Sequence, residues 1–348
     1  MALRLSHSQC SKYTQCPQAY KYHYVDRIRP SLSPASLLFG SALDAALNEL
    51  LKPEQNIPSE EIFIKEFTNN KINGVDTYLP TCTKLTYAAS DLDLDMLTLT
   101  DEEEEEIIGL KNKKAKYGLD GFSYEEHQLY NKRCWESLKE KGLLMLSAYR
   151  AKVLPMFEEV LAVQVPINLS NGEDSIAGFV DVVAKVKGHG VVVLDNKTSS
   201  IEYAEDSVIT SPQLTLYMHA LYPEYKTRRA GYIVLRKQVR KNRVKICSVC
   251  GHDGSATRHT TCANTVNGKR CGGPLNETIS PEIDVQIIID EIPERTEDIV
   301  MDNYDSVTHA ISNQVFPRNL HTCNNMYGGK CPYFNLCFKN KKDGLEEV

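Results

Sequence analysis

The sequence predicts an α/β fold, and three observations carry that prediction. Helical periodicity runs through the first segment and returns from Lys139 to Phe157; the period then changes to that of strands at Val160; and a helix start at Ser211-Pro212 is followed by a further strand. A chain of 348 residues with 42% hydrophobic content can bury a sizeable core, enough for one elaborated domain or two ordinary ones.

The opening segment reads as helix, turn, helix. Ser8 to Val25 carries Tyr13, Tyr20, Tyr22 and Tyr24 around Cys16-Pro17, and Ser36 to Leu51 repeats Leu37, Leu43, Leu47 and Leu50 near helical spacing, which places Gly40, Asp44 and Asn48 on one face. From about residue 53 to 135 the pattern suggests a helical insertion with mobile links, its acidic run Asp101 to Glu106 solvated. β-Branched residues are dense from Val160 to Val165 and from Ile176 to Val193. The turn signal Lys187-Gly188-His189-Gly190 splits the second run into a hairpin of Ile176–Val186 and Val191–Asn196. Ser211 is placed as an N-cap and Pro212 at the first helical position, ahead of Leu214, Leu216, Met218 and Leu221. A strand at Ala230–Leu235, a strand at Ile283–Ile289 and a helix from about Arg295 to Ser312 complete the predicted elements.

A formal charge of −6 gives no overall attraction to nucleic acid, so such binding must rest on local clusters. One stretch, from Lys226 through Arg228, Arg236, Arg240 and Arg243 to Lys245, is rich in bases and holds no acid; it is either a binding surface or a solvated strand face. The N-terminus lacks a basic start followed by an apolar stretch, and no apolar run approaches the roughly 18 residues that span a bilayer. The expectation is a soluble, cytoplasmic protein with no membrane contact. Eleven cysteines, an odd number, argue for metal ligation over a disulfide framework.

A hairpin centred near Gly188 sets Asp181 opposite Asp195, with Lys197 on the same face two residues on. Two carboxylates about 5 Å apart repel unless a cation joins them, and such hard oxygen ligands suit Mg²⁺ or Mn²⁺. A neighbouring ammonium can position a water, and the set suits phosphodiester hydrolysis. One helical turn separates Gln213 from Tyr217, so both can face one site and hold substrate, or form a buried tyrosine capped by an amide.

These residues resemble a known family. Gly178-Phe-Val-Asp181 followed by Asp195-Asn-Lys197 looks like the GxxD and DxK core of the PD-(D/E)XK nucleases, and Gln213-Leu-Thr-Leu-Tyr217 looks like the QxxxY motif of their RecB-like branch. The resemblance implies a restriction-endonuclease-like core, a central mixed sheet flanked by helices, with Asp181 and Asp195 as metal ligands. That branch usually presents a His four residues after a Gly on the first helix. Here Gly40 is followed by Asp44, which either replaces the imidazole as a metal ligand or is a solvent-exposed acid.

Two cysteine sets remain. Cys323, Cys331 and Cys337 need a fourth ligand, for which Cys16 is the natural candidate and Cys10 a rival. The arrangement resembles the AddB-type nucleases and the CRISPR-associated adaptation exonucleases, in which one N-terminal and three C-terminal cysteines hold a 4Fe-4S cluster; zinc is the rival metal. A cluster there would staple the chain ends. Cys247, Cys250, Cys262 and Cys271 read as a zinc site in a segment poor in core residues, with His252 or His259 able to replace one thiolate. Cys82 and Cys134 read as packed thiols.

The organisation expected is N-terminal helices with the first cluster cysteine (1–52), a helical insertion (53–138), the nuclease core (139–245), a zinc-ribbon-like insertion (246–276), and the end of the core with an iron-sulfur segment (277–348). The function expected is a metal-dependent DNA exonuclease acting on ends or single strands in recombination, repair or CRISPR-like processing, working with a helicase or recombination partner or alone in a phage or mobile element. The alternative is a DNA-end or partner-binding module that keeps the fold without turnover. A zinc-ribbon transcription adaptor would leave the acidic pair unexplained. The sequence does not report the oligomeric state.

Overall fold

A computed structural model describes the chain except residues 1, 31–34, 55, 70, 73–74, 77–91, 93, 98, 119–120, 258 and 325–329. Cys82 and much of the linking sequence read as mobile lie outside the described residues.

Six strands form one mixed sheet: β1 (Arg4–Leu5), β2 (Phe157–Asn171), β3 (Asp174–Val186), β4 (Gly190–Ser199), β5 (Arg229–Cys247) and β6 (Leu275–Glu291), in the order β1-β3-β4-β5-β6 with β2 also paired to β3. The β3–β4, β5–β6 and β2–β3 pairs are antiparallel, while β4–β5 and β1–β3 are parallel. A parallel pair needs a crossover, supplied between β4 and β5 by a helix at Pro212–Tyr225. Ser211 caps that helix as expected, its Oγ accepting from the Leu214 N–H at 3.1 Å.

Helices cover both faces. We number them α1 (His7–Gln15), α2 (Ala35–Leu50), α3 (Ser59–Asn69), α4 (Asp101–Tyr117), α5 (Tyr124–Lys152), α6 (Pro212–Tyr225) and α7 (Glu294–Ser312). One core joins α2, α3 and α5 to Val182, Ala184, Val192, Leu194, Ile233 and Leu235; the other joins α1, α6 and α7 to Val180, Val183, Val193, Ala230, Tyr232 and Val234. Alternation of neighbours between the two cores is the period of two expected of a sheet covered on both sides. It breaks at one place. Val180 belongs to one core and Val182 to the other, and opposite them Val165 and Val163 divide the same way. Between lies Gln164, at φ 53°, a left-handed backbone that a non-glycine residue adopts inside a strand only under local constraint. Both strands therefore reverse faces at Gln164 and Asp181.

Several boundaries differ from the sequence reading. The helix expected from Ser8 to Val25 is broken at Cys16, whose extended backbone (φ −160°, ψ 106°) follows from the proline after it; Pro17–Tyr20 then restarts and continues as a π-helical turn, Lys21–Val25. The boundary drawn between 138 and 139 falls inside α5, which starts at the Ser123–Glu126 capping box and meets no breaker before Val153. Those drawn at 245/246 and 276/277 fall inside β5 and β6, which run on as a two-stranded ribbon past the strands predicted at Ala230–Leu235 and Ile283–Ile289. Backbone pairing across the ribbon, not core burial, extends these strands, so apolar patterning does not reveal them.

Within the insertion, α4 and α5 share a small core of Leu92, Ile107, Leu110, Phe122, Tyr130 and the buried Cys134. The acidic run forms the first turn of α4, where carboxylates complement the helix dipole, and Glu103 pairs with Arg133 at 2.5 Å. At the far ends of the chain, Ile28–Pro30 pairs antiparallel with Leu345–Glu347.

α3 packs against α5 at Gly142, where an added Cβ would lie 2.0 Å from Phe63 Cζ. Gly142→Ala should lower stability by about 1–3 kcal/mol through overpacking. Gly109→Ala, at an exposed position of α4 with open space around it, should raise stability by up to about 1 kcal/mol. Denaturant midpoints of the two variants check this, and equal effects would contradict the packing described.

Candidate active site

The β3–β4 hairpin has the register centred on Gly188 that the turn signal implies, from Val186↔Gly190 to Val182↔Leu194. It stops one pair short of Asp181 and Asp195. There β4 parts from β3, β1 takes up the vacated edge at Ser175 and Ile176, and the Asp181 carboxylate accepts the Asn196 backbone N–H at 2.8 Å in place of a ladder bond. The candidate carboxylates thus sit where the sheet opens, not within its ladder.

Asp195 is 1% exposed. Lys197 Nζ lies 2.6 Å from its Oδ2, and Gln213 Nε2 donates to its Oδ1 at 3.0 Å. Lys197 is thus the close partner of the buried Oδ2 and Gln213 that of Oδ1. Gln213 also accepts from Lys197 Nζ through Oε1 at 3.0 Å and donates to the Tyr217 hydroxyl at 2.7 Å. From α2, the half-buried Asp44 faces Asp195 and Lys197 and accepts from Asn48 Nδ2 at 3.3 Å. The six candidates Asp44, Asp181, Asp195, Lys197, Gln213 and Tyr217 are therefore brought to one place, and Asp44 is not an acid pointing away into solvent.

Burial first, then the neighbouring Asp195 and Asp44 charges, push the Asp181 carboxyl up to about 8; burial also raises Asp195 and Asp44. Burial pushes the Lys197 ammonium down, but the Asp195 and Asp181 charges outweigh it and the net shift is upward. Lys197 is held as a cation. Three crowded carboxyls form a hard-oxygen set whose charge one lysine does not balance, which fits Mg²⁺ or Mn²⁺.

Three further residues escaped the sequence reading. Gln164 Nε2 donates to Asn48 Oδ1 at 3.1 Å and to Asp181 Oδ1 at 3.4 Å, tying the face reversal to the acids. The wholly buried Tyr149 donates to Asn196 Oδ1 at 3.3 Å. His7 shares a 2.7 Å hydrogen bond with the Tyr304 hydroxyl, and burial together with the Lys197 charge lowers its pKa to about 4, so it is neutral. The sequence offers no signal for Gln164 or Tyr149; His7 was visible only as a histidine between Ser6 and Ser8.

The thiols form two separate sets. Cys16, Cys323, Cys331 and Cys337 line one cavity walled by Tyr22, Tyr333, Phe334 and Phe338, whereas the rival Cys10 lines a different cavity with His7 and Tyr304. Among the described residues, only Cys247, Cys250, Cys262 and Cys271 bring all their ligand atoms within 4.8 Å of one another. Their Cys247–Cys271 and Cys250–Cys262 sulfur separations are 3.7 Å and 3.6 Å. A zinc tetrahedron with bonds of about 2.3 Å demands sulfurs about 3.8 Å apart, so this set fits zinc. The terminal four share their cavity but are not among the sets whose ligand atoms all lie within 4.8 Å of one another. His252 and His259 are outside the four-thiol set; His252 contributes its carbonyl, which accepts the Cys247 N–H at 3.0 Å.

Residues 4–338 match the PD-(D/E)XK nuclease superfamily, and the chain belongs to it. No curated protein matches the chain. Among solved structures, a candidate exonuclease from Eubacterium rectale is similar over 82% of this chain and 82% of its own, at 10% identity and a TM-score of 0.31. Among the described residues, no helix is long and apolar enough to cross a membrane.

The raised Asp181 sets a pH dependence. Without added Mg²⁺ or Mn²⁺, the folded protein holds at Asp181 a proton that the unfolded chain releases near its ordinary value of 3.8, so stability falls as pH rises from there to about 8. Asp181→Asn should flatten that fall, and added Mn²⁺ should raise the melting temperature of the natural protein more at the alkaline end. Melting curves across the window decide it; a stability that climbs through it, or an unchanged slope in the variant, is the contrary result.

Proposed function

We propose that this superfamily member is a metal-dependent DNA exonuclease acting on ends or single strands. The observation that carries the reading is the buried Asp195 carboxylate with Asp181 and Asp44 crowded near it and Lys197 as its close cation. Asp181 and Asp195, with Asp44 in the place of the usual histidine, would hold Mg²⁺ or Mn²⁺, which when bound polarises the phosphoryl oxygen and lowers the pKa of the attacking water. Lys197 remains charged, orients that water and offsets the charge that develops on the phosphate. Gln213 fixes Lys197 and Asp195 through its two amide atoms, and Tyr217 fixes Gln213. His7, being neutral, adds no charge beside Lys197 and leaves the cation to the substrate.

In this reading Cys16, Cys323, Cys331 and Cys337 hold a 4Fe-4S cluster that staples the chain ends and takes no part in hydrolysis, and Cys247, Cys250, Cys262 and Cys271 hold Zn²⁺. In the same reading the enzyme works in the cytoplasm, alone or with a helicase or recombination partner.

Cleavage of end-labelled single-stranded and duplex DNA by anaerobically purified protein, with Mn²⁺, Mg²⁺ or EDTA, tests the proposal. Lys197→Ala should lose about 10³-fold or more in rate while keeping its fold and brown colour. Full activity in that variant refutes the mechanism, and no cleavage by intact, cluster-loaded natural protein moves the reading to a binding module without turnover. Cys331→Ala should lose the brown chromophore and melt at lower temperature. A colourless natural protein that contains zinc and no iron in the terminal site would overturn the cluster.

A further inference from the structure

β5 pairs with β4 only as far as Ser199↔Arg236, but with β6 as far as Cys247↔Leu275. Beyond Arg236 the sheet has narrowed to two strands. Side chains from Ala230 to Arg236 are buried, whereas Arg240, Lys241, Asn242 and Arg243 are exposed. The free ribbon, Val239–Cys247 against Leu275–Ile283, extends about 26 Å at 3.3 Å per residue and ends in the four-thiol site.

Its direction follows from the sheet. Because β4 and β5 are parallel, the ribbon leaves from the end of the sheet at which β4 carries Asp195 and Lys197, and Lys197 itself pairs with Val234, two residues before Arg236. The register then shifts: Leu235↔Val285 is followed by Val239↔Ile283, so three residues of β5 stand against Asp284 alone. Such a bulge bends and twists the ribbon at its root.

Its charge is unlike that of the chain. From Lys237 to Cys247 there are five basic residues and no acid, in a protein of net charge −6. Arg240 is paired with Asp284 at 2.5 Å, at the root. Lys241, Arg243 and Lys245 alternate along one face about 6.6 Å apart. Cross-strand positions on β6 are Pro281 for Lys241, Ile279 for Arg243 and Glu277 for Lys245, with Glu282 opposite Arg240. Lys269 and Arg270, both exposed, add to the basic surface at the tip.

We propose that this ribbon is an arm that grips the phosphate backbone of the DNA strand running to or from the active site, reading charge rather than base sequence. Zinc at the tip orders the arm's end, which has only a small cluster of Cys247, Cys262 and Leu275 to pack it. The proposal rests on the nuclease reading for the identity of the strand.

Binding separates the two ideas. Fluorescence anisotropy with no added divalent metal and no chelator would compare a single strand of about 30 nucleotides with one of about four across a salt series, for the natural protein and for Lys241→Ser/Arg243→Ser. On the long strand the variant should lose about 1.4 from the slope of log affinity against log salt, about 0.7 for each phosphate contact, with no change on the short one. Lys241→Arg/Arg243→Lys should keep the natural slope, and zinc content should be equal in all three proteins. An unchanged slope on the long strand overturns the arm, as does an equal loss on both lengths, which would place the effect at the catalytic site. Cleavage assays on the same proteins report on the nuclease reading alone: a variant that loses the slope supports the arm even if no protein cuts.

Discussion

Burial of the Asp195 carboxylate is the constraint on which the rest of the site depends. A charge 1% exposed is tolerable only if other groups surround it, and each of its neighbours is an answer to that need. Lys197 supplies opposite charge, Gln213 a hydrogen bond, and Tyr217 the hydrogen bond that fixes Gln213. The compensation is incomplete: Asp181 and Asp44 add negative charge that Lys197 alone does not balance.

The sheet creates the room for this arrangement by failing locally. β3 and β4 separate just before the two aspartates would pair, and Gln164 turns left-handed opposite Asp181 so that both β2 and β3 change faces. Regular pleating at Asp181 would direct adjacent side chains strictly to alternate cores. The reversal frees its carboxylate to meet Asn196 on one strand and Gln164 on another. Strain of this kind persists because two packed cores, one on each face, over-determine the surrounding strands.

Away from the sheet, thiols stand where the hydrophobic core runs out. Cys16, Cys323, Cys331 and Cys337 lie where the chain ends meet beside the Ile28–Pro30 and Leu345–Glu347 pairing, and the second quartet lies at the tip of a ribbon beyond any core. Cys134 shows the other use of the residue, as a small apolar group within the packed core of the insertion.

Short-range patterns were legible in the sequence because their causes are local. The Gly188 turn determined the hairpin register and so the approach of Asp181 to Asp195; Ser211-Pro212 determined the start of α6 and hence the face shared by Gln213 and Tyr217; and the two cysteine sets could be separated by spacing alone. Tertiary structure alone decided the rest. That Asp44 faces the acids, that Gln164, Tyr149 and His7 join them, that Cys16 rather than Cys10 shares a cavity with the three terminal cysteines, and that β5 and β6 continue as a basic ribbon all depend on contacts between residues far apart in the chain. No periodicity encodes such contacts, because they are made by the packing of whole elements and not by the preferences of neighbouring residues.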